Sequence, residues 1–338
     1  MNGIKRFINT NIKELVTLGI IVFIFLVSGI AKADLFSSRF PSIANSVILW
    51  MPLNLTMAMG MMMVVIVRDI DLSIGSLVAF SAMVVGILFR DAGIPLWLGV
   101  ALCLLIGTLC GALNGFLVAY IKIPAIIVTL GTMNAFRGFT FIISKGAHIT
   151  TDKMPAGIKV PVQEGLWLGE FLFPWMVLFA FAVAALFFFV LRYSHFGREV
   201  YAVGSNREGA HLRGINCKKT EFLIFTITGF LAGITGLMSI SRFGYVNPSN
   251  TGTGLEFVVI SATIIGGVSV SGGKGSVAGV FLGCLLLGTV NTMISTVGIP
   301  GTVQRFSYGF IIVIALLIDQ VVTEHQQKVK LREFKERV

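Results

Sequence analysis

The chain is 338 residues long, 55% hydrophobic and 12% charged, with a net charge of +10 and a mean hydropathy of +0.89. A soluble domain carries about 25% charged residues, so this composition excludes a soluble enzyme or binding module and places the chain in a bilayer. The basic excess fits the Lys and Arg bias of one side of a membrane protein rather than a nucleic-acid surface.

A bilayer core of about 30 Å needs about 20 apolar residues to cross it. On that measure ten spans are predicted, at 14–31, 45–67, 73–89, 95–121, 124–144, 172–192, 221–241, 255–268, 276–295 and 303–319. The expected fold class is therefore an all-α integral membrane protein of about ten transmembrane helices. Segment 1–13 precedes the transmembrane domain 14–319, and 320–338 forms a tail. The first apolar run shows no small-residue cleavage site and reads as a retained signal anchor. One set of segments (the N-terminus, 68–72, 122–123, 192–221, Lys274 and the tail) holds 17 of the 26 basic residues, the opposite loops hold 8, and Arg137 lies within a span. That asymmetry assigns both termini to the cytoplasm.

Polar groups at membrane depth are costly and become functional candidates. In the second span Asn54 and Thr56 follow Pro52, which is expected to open the helix and free backbone carbonyls. The run Met57 to Met63 reads as adaptable core rather than a metal site. Arg68 to Ser76, RDIDLSIGS, joins two spans with almost no loop; Asp71 or Ser73 is expected to cap the next helix, while Gly75 and Ser76 let it start in tight packing. Gly107, Gly111 and Gly115 fall four apart on one helix face, as do Gly275, Gly279 and Gly283 on another, which permits close backbone approach. In the fifth span Asn134 and Arg137 share a face, with Thr129 and Thr132 nearby. Asn291 lies in the ninth. Together Asn54, Thr56, Thr129, Asn134, Arg137 and Asn291 outline a weakly polar pathway suited to a neutral, hydroxyl-rich solute, although each amide alone equally suits helix-bridging glue.

Lys145 to Phe171 and Tyr245 to Gly254 read as outward loops. The first is long and polar enough to receive a soluble binding protein or to serve as a passive connector. His148 and Asp152 lack a further convergent ligand for a metal. The insert Arg192 to Glu221 is basic and helix-compatible in a chain of apolar runs, so it must lie outside the bilayer, and it reads as a docking helix for a motor protein. Within it Glu208, Gly209, Ala210, His211 and Leu212 form a short predicted helix, capped by Ser205 or Asn206 and ended by Gly214. Leu212 and Ile215 are expected to fill a groove on a partner, with Arg207 and Arg213 on its acidic rim. GGVSVSGGKGS at 266–276 lacks the phosphate-loop spacing and any soluble strand before it, and reads as a tight turn. Cys103, Cys110, Cys217 and Cys284 read as packing residues. The tail is expected to lie as a short helix near anionic lipid. No nucleophile or acid-base cluster emerges, so chemistry on a solute is not expected.

RDIDLSIGS closely resembles the GIDLSVGS-type signature of permease subunits in the ribose, xylose and arabinose class of ATP-binding-cassette (ABC) importers. The likeness continues through IKIPAIIVTLGTMNAFRG at 121–138, GREVYAVGSNREGAHLRGIN at 197–216 and TGTGLEFVVISATIIGGVSVSGGKGSVAG at 251–279. The signature residues here are Asp71, Leu72, Ser73, Gly75 and Ser76. Arg68-Asp69 stand where the family more often has a small residue, a departure expected to matter little. The resemblance implies that Ser205 to Ile215 (Ser205, Asn206, Arg207, Glu208, Gly209, Ala210, His211, Leu212, Arg213, Gly214 and Ile215) docks on a separate ATPase. It implies a multi-pass permease of a bacterial inner membrane that imports a monosaccharide or similar polyol-like solute, with the autoinducer-2 permease of the same family as the alternative. A branched-chain amino acid permease of related architecture is set aside on motif likeness alone. The implied partners are an ATP-binding subunit dimer, a periplasmic solute-binding protein, a second permease, identical or sister, and the lipid bilayer, with no nucleic acid. No cofactor is implied for this chain; ATP and Mg are used by the partner ATPase, and the chain is not itself an enzyme. An ion-coupled secondary transporter is the rival from another class, and the only acid placed to enter a span is Glu256, at a helix start.

Overall fold

The computed structural model describes residues 17–24, 26, 40–168, 171–298, 306 and 309–310. The expected spans at 14–31 and 303–319 therefore lie largely outside the described residues, as does the tail, although 17–24 is helical. Seven described helices are long and apolar enough to cross a bilayer.

The first, α1 (Phe40–Ile66), is apolar on every side, and a helix of that kind is stable only when surrounded. It forms the central pillar, and Met57, Met59, Met61, Met62 and Met63 are fully buried in it. The Met run is thus packing, as its unbranched and polarisable side chains allow. Pro52 does not end the helix; Asn54 lies inside the same turn and donates its side-chain amide to the Trp50 carbonyl at 2.8 Å. Around α1 stand α5 (Trp175–Tyr193), α8 (Cys217–Phe243), α9 (Leu255–Ile265) and α10 (Val277–Val297). Outside them lie α2 (Ile74–Ala92), α3 (Leu96–Ala119) and α4 (Ala125–Ser144). Between α5 and α8 run two short helices, α6 (His195–Ser205) and α7 (Arg207–Leu212).

Glycine decides the helix pairs, because lipid supplies no hydrophobic drive for one apolar helix to prefer another. Gly107 and Gly111 of α3 rest on Gly229 and Gly233 of α8 with backbone against backbone. On the far side of α3, Leu105, Leu109 and Leu113 form an exposed stripe at a spacing of four, facing outward. Gly279 and Gly283 of α10 meet Gly266 and Ala262 in the same way, which aligns α9 with the start of α10. Phe80 of α2 stacks on Phe136 of α4 with centroids 5.8 Å apart.

At one end, here the hairpin end, β1 (Ile149–Thr150) pairs antiparallel with β4 (Tyr245–Val246), while β2 (Gly165–Leu168) pairs with β3 (Phe171–Pro174) as a hairpin. Ile149, Met154 and Ile158 are buried in one apolar cluster with Phe89, Cys103, Ile240 and Val246. The stretch 145–171 is therefore not a free polar loop; its apolar residues plug the bundle, a role that their spacing in irregular backbone concealed. The opposite end, the helical end, carries α6, α7 and the turn 266–276. The expected span at 255–268 is the helix α9 of 11 residues, which at 1.5 Å per residue reaches only about 16 Å.

The α3–α8 pairing predicts a sharp asymmetry between glycines. A Cβ on Gly111 meets the Phe225 carbonyl at 2.5 Å and the Gly229 Cα at 2.7 Å, whereas a Cβ on Gly131 meets nothing within 4 Å. Gly111→Val is expected to lose about 1–3 kcal/mol or more through overpacking against backbone that cannot yield. Gly131→Val is expected to lose only its small propensity term; thermal denaturation of both variants in mild detergent makes the comparison.

Candidate functional site

The helical end is built from three caps in succession. Ser194 Oγ accepts from the Gly197 amide at 3.0 Å and starts α6. Asn206 Oδ1 accepts from the Gly209 amide at 2.9 Å and starts α7. Asn216 Oδ1 accepts from the Lys219 amide at 3.1 Å and starts α8. Of the two expected caps for α7, Asn206 serves and Ser205 does not, because Ser205 is the last residue of α6. Gly214 turns the chain at φ +82°, a conformation that glycine adopts without cost. Ala210 faces the bundle and is buried; Leu212 faces away and is 86% exposed. Glu208, His211 and Arg213 are exposed with it, and Ile215 is half-buried against the core. Six residues cannot hold a helix alone, so α7 depends on its anchors.

Those anchors come from residues that the sequence reading undervalued. Arg68, in the left-handed region at φ +72°, donates Nε to the Gly204 carbonyl and Nη2 to the Ser205 carbonyl, each at 2.8 Å. It thereby satisfies the last carbonyls of α6, where a cation is electrostatically favoured. The departure at Arg68, expected to matter little, is the clamp between the end of α1 and the helix before α7. The turn 266–276 joins the same knot: the Gly273 amide donates to the Ile66 carbonyl at 2.9 Å, and the Tyr201 hydroxyl donates to the Gly275 carbonyl at 2.9 Å. The Cβ positions of Gly204, Gly272 and Gly273 are filled by this packing.

Arg207 was expected on a partner's acidic rim. Its guanidinium is instead engaged within the chain, forming a two-pronged ion pair with Glu221 whose Nη2–Oε2 arm is 2.8 Å. Glu221 is 1% exposed, and a buried carboxylate requires such a partner. Thr220 Oγ1 donates to Glu199 Oε2 at 3.2 Å and ties α8 to α6. A carboxylate just inside an apolar helix was the signal in the sequence for this pair.

In the link 67–73, Asp71 accepts the Ser73 amide at 2.9 Å and the Ser73 hydroxyl at 2.6 Å. It thus fixes the residue before α2 and takes no amide of the helix itself, and the Ser73 side chain makes no cap bond to α2 either, so the expected side-chain cap is not formed by either residue. Ser73 Oγ in turn accepts from Asn114 Nδ2 at 2.8 Å, and Ser76 Oγ donates to the Ser73 carbonyl at 2.8 Å. Leu72 packs half-buried beside them, and Gly75 lies against the backbone of Gly252. Burial pushes the Asp71 carboxyl up to about 6 against the opposing pull of the Ser73 bonds. Burial also raises Asp69 to about 6, opposed by the Arg207 charge.

The expected pathway residues lie on three helices, α1, α4 and α10. Asn54 and Thr56 are buried within α1, and Thr56 Oγ1 lies 3.8 Å from Met238 Sδ. Thr129 Oγ1 donates to the Ile70 carbonyl at 3.2 Å and pins the link. Asn134 is exposed and donates to the Leu130 carbonyl of its own helix at 2.9 Å. Arg137 Nη1 donates to the Pro248 carbonyl at 3.0 Å and the Thr251 carbonyl at 2.8 Å, so its charge holds the stretch 247–254 in place. Asn291 is half-buried on α10.

Two measurements follow from this geometry. Arg207→Ala strands a buried carboxylate and is expected to cost about 1–3 kcal/mol, discounted for the half-exposed guanidinium; adding Glu221→Gln recovers most of it in detergent denaturation. Asp69 and Asp71 bind a proton more tightly folded than unfolded, so their contribution to stability is greatest below pH 3.8 and falls as pH rises from 3.8 through about 6. Asp69→Asn is expected to flatten that part of the melting-temperature profile.

The family model described as "Branched-chain amino acid transport system / permease component" matches residues 43–316. An autoinducer 2 import system permease protein LsrC of Enterobacter sp. (strain 638) is 35% identical over 282 residues, covering 82% of this chain and 80% of that protein. The ribose import permease protein RbsC of Haemophilus influenzae is 33% identical over 300 residues, covering 88% and 91%. The LsrC of Escherichia coli (strain K12 / DH10B) is 32% identical over 314 residues, covering 93% and 88%. No solved structure matches the chain. With a bundle of apolar helices, a family match over most of its length and full-length relatives above 30% identity, this multi-pass membrane chain belongs to the branched-chain amino acid transport system permease component family.

Proposed function

We propose that this chain is the membrane-spanning permease subunit of an ABC importer that brings a monosaccharide or similar small polyol-like solute into the cytoplasm. The observation that carries this reading is α7. It presents Leu212, His211 and Arg213 outward from a base fixed to α1 by Arg68 and to α8 by Arg207–Glu221. A single exposed leucine on a rigid, basic turn suits an anchor that enters a groove on a partner. That partner is an ATP-binding subunit dimer, which uses ATP and Mg while this chain binds neither and performs no chemistry of its own. The segment 192–221 is then the coupling loop, the helical end faces the cytoplasm together with both termini, and ten spans make up the permease domain 14–319 in a bacterial inner membrane. A second permease, identical or sister, and a periplasmic solute-binding protein complete the assembly. Transport proceeds by alternating access, with the ATPase favouring one permease state through differential affinity.

Both a ribose import permease and autoinducer 2 import permeases are similar to the chain over most of its length. Autoinducer-2 is therefore retained as the second solute reading, and screening the companion binding protein against both solutes separates the two.

Leu212→Asp changes a side chain that is 86% exposed, whereas Gly209→Glu places a Cβ 3.3 Å from the Asn206 side chain that caps α7 and so also loosens that cap. Both variants are expected to insert, Leu212→Asp with its fold unchanged, and both are expected to abolish solute-stimulated ATP hydrolysis in the reconstituted importer. Normal coupling in both refutes the docking assignment.

A further inference from the structure

The stretch 247–254 does not stay at the hairpin end. Along α2, Gly86 lies beside Ile149 and Val246, whereas Gly75 lies against Gly252. Eleven residues, about 16 Å of α2, separate the two glycines, so the chain runs down along α2 between Val246 and Gly252. The α9–α10 pair sets the depth of its upper end, the start of α9. Gly266 rests on Gly279 near the start of α10, and Leu255 begins α9 eleven residues before Gly266. Leu255 thus lies about 20 Å along a helix about 30 Å long. The α9–α10 registration therefore puts the end of 247–254, which is irregular up to the start of α9, well inside the span, with Gly252 against Gly75 of α2.

Irregular backbone at that depth is tolerated where it is buried in protein or lines a water-filled cavity. One side of the stretch is buried: Pro248, Thr251 and Glu256 face the bundle, with Arg137 taking the Pro248 and Thr251 carbonyls. The other side is not. Ser249, Asn250 and Thr253 are exposed, and so is Asn134, one turn from Arg137 on the same face of α4. The stretch is also held rigidly: the Ser249 amide donates to Asn247 Oδ1 at 2.8 Å, the Asn247 amide to Thr251 Oγ1 at 2.9 Å, and Thr253 Oγ1 to the Ser249 carbonyl at 2.8 Å.

We propose that Asn134, Ser249, Asn250 and Thr253 form one wall of a water-filled solute pathway and meet the hydroxyl groups of a neutral, sugar-like solute. All four are uncharged hydrogen-bonding groups, and the nearby Arg137 directs its Nη1 donors at the Pro248 and Thr251 carbonyls rather than at the wall. The water-filled wall stands on the depth of the stretch alone; the class of solute rests on the importer reading.

The test is cysteine accessibility in the full chain in native membranes, read as the rate of reaction with a membrane-impermeant, cationic methanethiosulfonate over the background of the unsubstituted chain. Asn250→Cys and Thr253→Cys are expected to react about tenfold or more faster than Leu109→Cys and Leu186→Cys, which sit on outward apolar faces at mid-helix. Rates equal to those controls overturn the wall. With the wall established, pentoses and hexoses at millimolar concentration are expected to slow the labelling; slowing by leucine and not by sugars overturns the solute class and leaves the wall standing. Co-purification of an ATPase, scored separately, tests the importer reading whichever way the labelling falls.

Discussion

A backbone amide or carbonyl inside hydrocarbon must find a partner within the protein, because no water is there to supply one. Long helices meet this requirement along their length, so the informative places are where helices stop. Arg137 takes two carbonyls of the stretch 247–254. Arg68 takes the last two carbonyls of α6, and Asp71 and Thr129 close the link between α1 and α2. The cations that looked like candidates for a pathway or a partner's surface are largely consumed in this way. What they leave exposed, the outer face of α7 and the uncharged edge of 249–253, carries the two functional proposals.

Packing supports the same division. A central helix without a polar side needs neighbours all round, and α1 has α5, α8, α9 and α10. Among apolar helices, selection of the right neighbour falls to shape, and glycine pairs admit backbone contact that a single methyl would forbid. The Gly107–Gly111 face on Gly229–Gly233 and the Gly279–Gly283 face on Gly266–Ala262 each fix one pair and its register. The bundle is thus close-packed in a few specific seams and open on its outer faces, where Leu105, Leu109 and Leu113 are exposed.

A coupling element must transmit displacement rather than absorb it. A six-residue helix held by one cap would be too weak for that, but α7 is bracketed by the Arg68 clamp on one side and the Arg207–Glu221 pair on the other. In the proposed docking role, a push on Leu212 would be passed to α1 and α8 through these contacts, and α8 leads to Gly244 and the stretch 247–254 through a continuous helix. In a protein with two discrete packings, that connection lets affinity at one end bias the state of the other.

Composition and the length of the apolar runs determined the membrane class and most span positions, because burial in lipid acts on each helix separately. The caps of α7, its turn at Gly214 and the small-residue faces were likewise legible, since capping and close approach depend on local residue type and spacing. The assignments of Arg68, Arg207 and Arg137 were not. Each depends on a carbonyl or carboxylate at least 14 residues away in sequence, at Glu221, Gly204 or Pro248, and periodicity within one helix carries no information about such a partner. Nor could hydropathy distinguish a full span from α9 preceded by a descending loop, because Leu255 to Val268 is equally apolar in either arrangement. Only the pairing of Gly266 with Gly279 decided the depth, and depth is what turns Ser249, Asn250 and Thr253 from loop residues into a candidate wall for solute.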